Sequence, residues 1–130
     1  MSNFVDSNVV ILGFTNNPKK DFILSMLQND DIVVNPLVLV ESFSKVLTIT
    51  KDVTIAIDML GMFFSCDNVT ISNIDNNFMF DVFRYMSKDK NGKLKISDLI
   101  HYITAMKYDC SCIISYDRNF DNLLIPRQQP

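Results

Sequence analysis

The sequence predicts an α/β domain, a three-layer sandwich whose mainly parallel central sheet of four or five short strands is flanked by helices. Short apolar or β-branched runs alternate with longer segments of helical periodicity, the order that builds parallel strands joined by crossover helices. One run, at residues 112–115, is continuously apolar, as a strand covered on both faces must be. A chain of 130 residues fits a single domain and can bury about two thirds of its unfolded surface.

The first strand falls at residues 3–6 and runs into Asp6, Ser7 and Asn8. Residues 9–14 start a helix that Ser7 or Asn8 can cap. Asn17 and Pro18, a cap followed by proline at the first helical position, open a second helix that runs to about Asn29. Its Phe22, Ile23, Met26 and Leu27 share one face. Residues 31–35 read as a short strand ended by Pro36. Across residues 36–47, Leu37, Val40, Phe43, Ser44 and Leu47 keep helical spacing, which sets Glu41 on or beside the apolar face. Thr50 or Asp52 begins the next helix, through Phe64, and residues 69–74 form a strand by β-branched alternation. Residues 75–86 are helical, with Phe78, Met79, Val82, Phe83 and Met86 on one side. A polar loop fills 88–95, Ser97 caps a helix to about Lys107, and residues 116–120 turn after the last strand. The domain spans 1–125 and the polar tail, 126–130, is expected to be disordered.

Hydrophobic residues make up 48% and charged residues 21%, which places the chain among globular proteins rather than disordered ones. A net charge of −3 argues against a protein that grips nucleic acid by overall positive charge, but leaves room for a nuclease whose acidic centre is neutralised by metal. No apolar run approaches the roughly 18 to 20 residues of a membrane helix. The apolar patch at 9–14 has no basic segment before it, so no secretory signal is expected. Cys66, Cys110 and Cys112 form no Cys-x-x-Cys pair and read as small buried side chains in a reduced, cytoplasmic setting.

Four acids sit in apolar stretches where a carboxylate has no obvious structural reason to be: Asp6, Glu41, Asp98 and Asp117, although Asp98 alone also reads as a helix N-terminal acid and Asp117 alone as a turn residue. Glu41 is the only glutamate among fifteen acidic residues, and only Asp117 has a basic neighbour, Arg118. Ionised carboxylates in apolar surroundings need a counter-charge, and one bound cation compensates several of them. Asp6 ends the first strand and Asp117 lies just past the last, so both belong at the carboxyl edge of a parallel sheet, where ligands bind. Asp98 opens a helix entered from the same edge, and Glu41 reaches in from within a helix. Such a group suits Mg2+ or Mn2+, hard cations that polarise a phosphodiester and activate water.

Taken together, these segments resemble a known family. Phe4-Val5-Asp6-Ser7-Asn8 looks like the opening of PIN domains, and Val38-Leu39-Val40-Glu41-Ser42 resembles their glutamate-bearing helix. The helix from Ile96-Ser97-Asp98 is similar to their third motif, and Ile113 to Phe120 resembles their closing strand and Asp-Arg-x-Phe turn. The resemblance runs from residue 3 to about 124, and the bare single-domain length is most like the VapC-type toxins. It implies a metal-dependent endoribonuclease acting on RNA, held inactive by a cognate antitoxin and expected to form a homodimer. Asp6, Glu41, Asp98 and Asp117 would be the ligands, Ser7 would hydrogen-bond a ligand or a water, and Asn8 would brace the first turn. Asn119 stands where many members carry a further acid, so a second ion would be held more weakly; Asp121 is close enough to compensate, but reads first as a cap or a solvent-facing residue. Bulky Tyr102 and Met106 make the third-motif helix less alanine-rich than usual.

Other readings compete locally. Residues 87–98 follow the calcium-loop pattern of an EF-hand, with Asp89, Asn91, Gly92 and Leu94 in place. Ser87 and Asp98 stand at its two ends where Asp and Glu are usual, however, and no second loop exists to pair with it. Lys88, Lys90, Lys93 and Lys95, with Arg118, either face solvent or hold RNA phosphates. His101 is either a packed residue or an aid to proton transfer. Antitoxin or dimer contacts are expected on 9–14 and on the helix ending at Phe64, although its run from Met59 also reads as core. A catalytically silent PIN-like binding module remains the other functional class.

Overall fold

A computed structural model describes residues 1–89, 92 and 94–130. Five short strands, β1 (Asn3–Val5), β2 (Ile32–Val34), β3 (Val69–Ile71), β4 (Ile113–Ile114) and β5 (Arg127–Gln128), form one sheet in the order β3-β2-β1-β4-β5. Every neighbouring pair is parallel. Six helices cover it: α1 (Ser7–Val10), α2 (Lys20–Asn29), α3 (Pro36–Thr50), α4 (Val53–Ser65), α5 (Asn76–Lys88) and α6 (Ile96–Lys107). The architecture is the flanked parallel sheet that the alternation of elements predicts. Among the described residues, no helix is long and apolar enough to cross a membrane.

Burial explains why the central strands read as apolar runs. Phe4, Val5, Ile32, Val33, Val34 and Ile113 are essentially inaccessible, because helices cover both faces. The strand order reverses between β1 and β4, and in an open parallel sheet such a switch point opens a crevice at the carboxyl ends. Asp6 and Ser115 are the residues that emerge there.

Several boundaries differ from expectation for identifiable reasons. Asp6, rather than Ser7 or Asn8, caps α1, its carboxylate accepting from the Ser7 N–H, and residues Ile11–Phe14 tighten into a 3-10 turn. Asn17 Oδ1 accepts from the Lys19 N–H and closes a turn, so α2 starts only at Lys20. Helix α3 runs past Leu47 to Thr50 and ends where Lys51 adopts a left-handed conformation, φ 54°. Lys95 holds the cap position of α6, and Ser97 lies inside the helix without capping it.

The tail beyond residue 125 corrects the expectation of disorder. Ile113 N–H donates to the Pro126 carbonyl and Ser115 N–H to the Gln128 carbonyl, which makes β5 the partner of β4. Arg127 locks it, donating through Nε to Asp121 Oδ1 at 2.6 Å and through Nη1 to the Ser115 carbonyl at 3.0 Å. The same guanidinium holds the Asp121 carboxyl below the usual carboxylate range. A strand secured by one arginine and two backbone bonds leaves no hydrophobic alternation to read.

Candidate metal centre

The site is assembled at the switch point, beginning with Asp6. Its position after β1 makes it the cap of α1, and both carboxylate oxygens are engaged. Oδ1 accepts from Ser7 N–H at 2.7 Å, with Ser7 Oγ at 3.4 Å, while Oδ2 accepts from Ser115 Oγ at 2.7 Å. Ser115, fully buried at the end of β4, is the hub of this corner. Its hydroxyl also accepts from Asp117 N–H at 2.9 Å and from Asn8 Nδ2 at 3.2 Å. Asn8 Oδ1 in turn accepts from Tyr116 N–H, so Asn8 ties the start of α1 to the end of β4. Asp117 caps the 3-10 turn Arg118–Phe120, accepting from Asn119 N–H at 2.8 Å.

From the other side, α3 and α6 deliver Glu41 and His101. Glu41 Oε1 lies 3.1 Å from His101 Nε2, which is itself 3.8 Å from Asp6 Oδ1. One ligand atom from each of Asp6, Glu41 and His101 falls within 4.8 Å of the others. Asp98 and Asp117 stand outside that trio. Asp98 is nevertheless buried in the first turn of α6, near enough to feel Asp117 and Asp6. Burial first, then the charge on Asp117, raise the Asp98 carboxyl above the usual carboxylate range, with Asp6 adding to them and the Asn119 side chain opposing.

The fit of a divalent ion is tested by Asp98 itself. Its Oδ2 is buried and, among the described residues, has no hydrogen-bond partner. A carboxylate oxygen enclosed without a donor is costly, and a cation is a partner that suits it beside the carboxylates of Asp117 and Asp6. Hard carboxylate donors favour Mg2+ or Mn2+ over softer metals. The residues present therefore fit the group.

The family model described as the PIN domain matches residues 4–124. The chain belongs to the PIN domain family. Among solved structures, this PIN domain is similar to VapC20 of Mycobacterium tuberculosis, a toxin cleaving the sarcin–ricin loop, with a TM-score of 0.78 at 11% identity over 98% of this chain and 99% of that one. It is also similar to VapBC2 of Rickettsia felis bound to a fragment of promoter DNA, with a TM-score of 0.70 at 15% identity over 99% of this chain and 98% of that one. At these identities the likeness is one of fold. Among curated proteins, none matches this PIN domain in sequence.

Lys88 ends α5 and Lys95 precedes α6, both exposed, and Arg118 is exposed in the 3-10 turn. Lys90 and Lys93, like Asn91 of the calcium-loop pattern, lie outside the described residues. That pattern fails at its ends. Ser87 is helical and donates to the Arg84 carbonyl, and Asp98 is buried beside Asp117 and Asp6. Sequence reasoning missed Ser115 and Asn35 and undervalued His101, although His101 is the only histidine in the chain and lies three residues after Asp98.

Proposed function

We propose that this PIN domain is a Mg2+- or Mn2+-dependent endoribonuclease, the toxin of a toxin–antitoxin pair. The observation that carries the reading is the buried, unpartnered oxygen of Asp98 beside other carboxylates at the switch point. Retention of all four acids argues against a silent binding module. Asp6, Glu41, Asp98 and Asp117 hold the ion, which supplies Lewis-acid polarisation of a phosphate oxygen and acidifies water. The protein's own part is positional. Ser115 and the Ser7 N–H fix both oxygens of Asp6, and Asn8 and Asn119 hold the turns that carry Asp6 and Asp117.

A cleft lined by Ser7, Asn8, Ile11, Val40, Glu41, Ser44, Lys45 and Thr48 opens beside Glu41, and we assign it to the RNA backbone. Within residues 9–14, Val9 and Val10 are fully buried, while Ile11, Leu12 and Phe14 are partly exposed. An apolar groove lies between α3 and α4, where Val40 and Phe64 are 63% and 71% accessible, and this is the surface we assign to the antitoxin. A homodimer and a cytoplasmic setting complete the reading.

Purified protein should cleave single-stranded RNA with Mg2+ or Mn2+, stop in chelator, and not be restored by Ca2+. Cleavage that continues in chelator would refute a metal centre, and a tight calcium site dependent on Asp89 would favour the EF-hand loop. The lysines are tested separately. Each phosphate contact to single-stranded RNA adds about −0.7 to the slope of log affinity against log salt. Replacing Lys88, Lys90, Lys93 and Lys95 by glutamine should therefore flatten that slope by roughly 3. An unchanged slope would mean that these side chains only face solvent.

A further inference from the structure

The spacing of Asp6, Glu41 and His101 invites reading the histidine as a third ligand, but its hydrogen bonds determine otherwise. Asn35 caps α3 by accepting Val38 N–H on Oδ1 at 2.9 Å, which fixes the orientation of its amide. Nδ2 must therefore face inward, where it meets Thr104 Oγ1 and His101 Nδ1, each at 3.0 Å. The Thr104 hydroxyl spends its one hydrogen on the Ile100 carbonyl at 2.8 Å, so towards Asn35 it can only accept. One amide hydrogen goes to Thr104 and the other to His101. Nδ1 is thus an acceptor without a proton, and the proton of the neutral ring sits on Nε2, 3.1 Å from Glu41 Oε1. The ring cannot turn easily, being 1% accessible and packed on Phe4 with centroids 5.3 Å apart.

We infer that His101 is the positioning residue of Glu41: a neutral Nε2–H donor, oriented by Asn35, that holds one carboxylate oxygen and leaves the other for the ion. The inference rests on the metal-centre reading above. Glu41 is the ligand that needs such help, because its side chain is 36% accessible on a helix and, among the described residues, accepts no other hydrogen bond. Without a fixed partner it would spread over several rotamers and lose entropy on binding. A lysine or arginine could also reach Glu41, but would place positive charge where a cation must sit. A neutral imidazole gives orientation without that competition, and ligand carboxylates are commonly held by such outer donors.

Nitrogen-15 NMR of imidazole-labelled, metal-free protein should show Nε2 protonated and Nδ1 in the acceptor range, and Mg2+ should leave that pattern unchanged. Calorimetry with Mn2+ should show about 10- to 100-fold weaker binding for His101→Leu, the range found when outer-shell partners are removed. His101→Gln, which retains an N–H donor at the right reach, should recover most of that loss. A metal-free spectrum with Nδ1 protonated overturns the inference, as does a Mg2+-induced loss of the Nε2 proton. Wild-type Mn2+ affinity in a folded His101→Leu overturns it while sparing the metal centre, whereas absence of Mn2+ binding by the wild type overturns both. Should His101→Leu not fold, the wild-type spectrum and the affinity of His101→Gln, strong or lost, decide alone.

Discussion

Asp98→Asn should abolish metal-dependent RNA cleavage and at the same time raise the melting temperature of the metal-free protein. Both effects come from one carboxylate. Burial and the charges on Asp117 and Asp6 hold its pKa above the unfolded value, so the folded chain keeps the proton to higher pH than the unfolded chain. Between those two pKa values the folded state binds more protons, and stability falls as pH rises. Above the folded pKa the whole penalty is present, and at neutral pH asparagine removes it. The gain should therefore be largest near neutral pH and vanish below about pH 3.9, where the unfolded carboxyl is also protonated. Each ~1 kcal/mol relieved corresponds to about 4 °C in a domain of this size. Metal should reverse the order of the two proteins, since an ion at 100 times its dissociation constant stabilises the wild type by about 2.7 kcal/mol. Thermal melts with and without Mn2+, across pH, check this directly. Full activity in the variant, or a lower metal-free melting temperature, would sink the argument.

Ser115→Ala should be among the most damaging single-atom deletions in the protein. It removes the donor to Asp6 Oδ2 and the acceptor for Asp117 N–H and Asn8 Nδ2 in one step, at a fully buried position. Buried polar groups left unpaired cost about 1 to 3 kcal/mol each, so a total of roughly 3 kcal/mol is expected after relaxation. That is on the order of a 10 °C drop in melting temperature. Mn2+ binding should also weaken, because Asp6 loses the bond that fixes its second oxygen. Urea denaturation measures the first effect and calorimetry the second. A loss below about 1 kcal/mol would show that the hub is not the structural centre of the corner.

The four acids were legible because each is locally out of place: a carboxylate at a strand end, within an apolar helix face, or at the start of a buried helix. Their supporting groups were not, because nothing local marks them. Ser115 follows two isoleucines and reads as one more strand residue. Only the parallel register, with Val5 opposite Ile114, carries it one step further to Asp6. Asn35 was visible only as the residue before Pro36, and the inward half of its amide depends on how α6 crosses the sheet. The sheet itself was predicted by alternation, but β5 has no apolar pattern and owes its place to Arg127.

The bonds that build the corner also set the order in which it can form. Asp6 and Ser115 are 109 positions apart, and His101 is joined to Glu41 and Asn35 across 60 and 66. No hairpin or helix pair contains enough of the site to bind an ion on its own. Closing such distant segments costs chain entropy before any contact rewards it, which makes this a slow-folding topology. The pocket is complete only once β1 and β4 have paired, a step that the long chain separation predicts to come late. An ion bound there has little to act on in the folding transition state, so it slows unfolding without hastening folding. Metal should accordingly lengthen survival against a protease by a factor that rises with its concentration over its dissociation constant, while refolding proceeds at the metal-free rate.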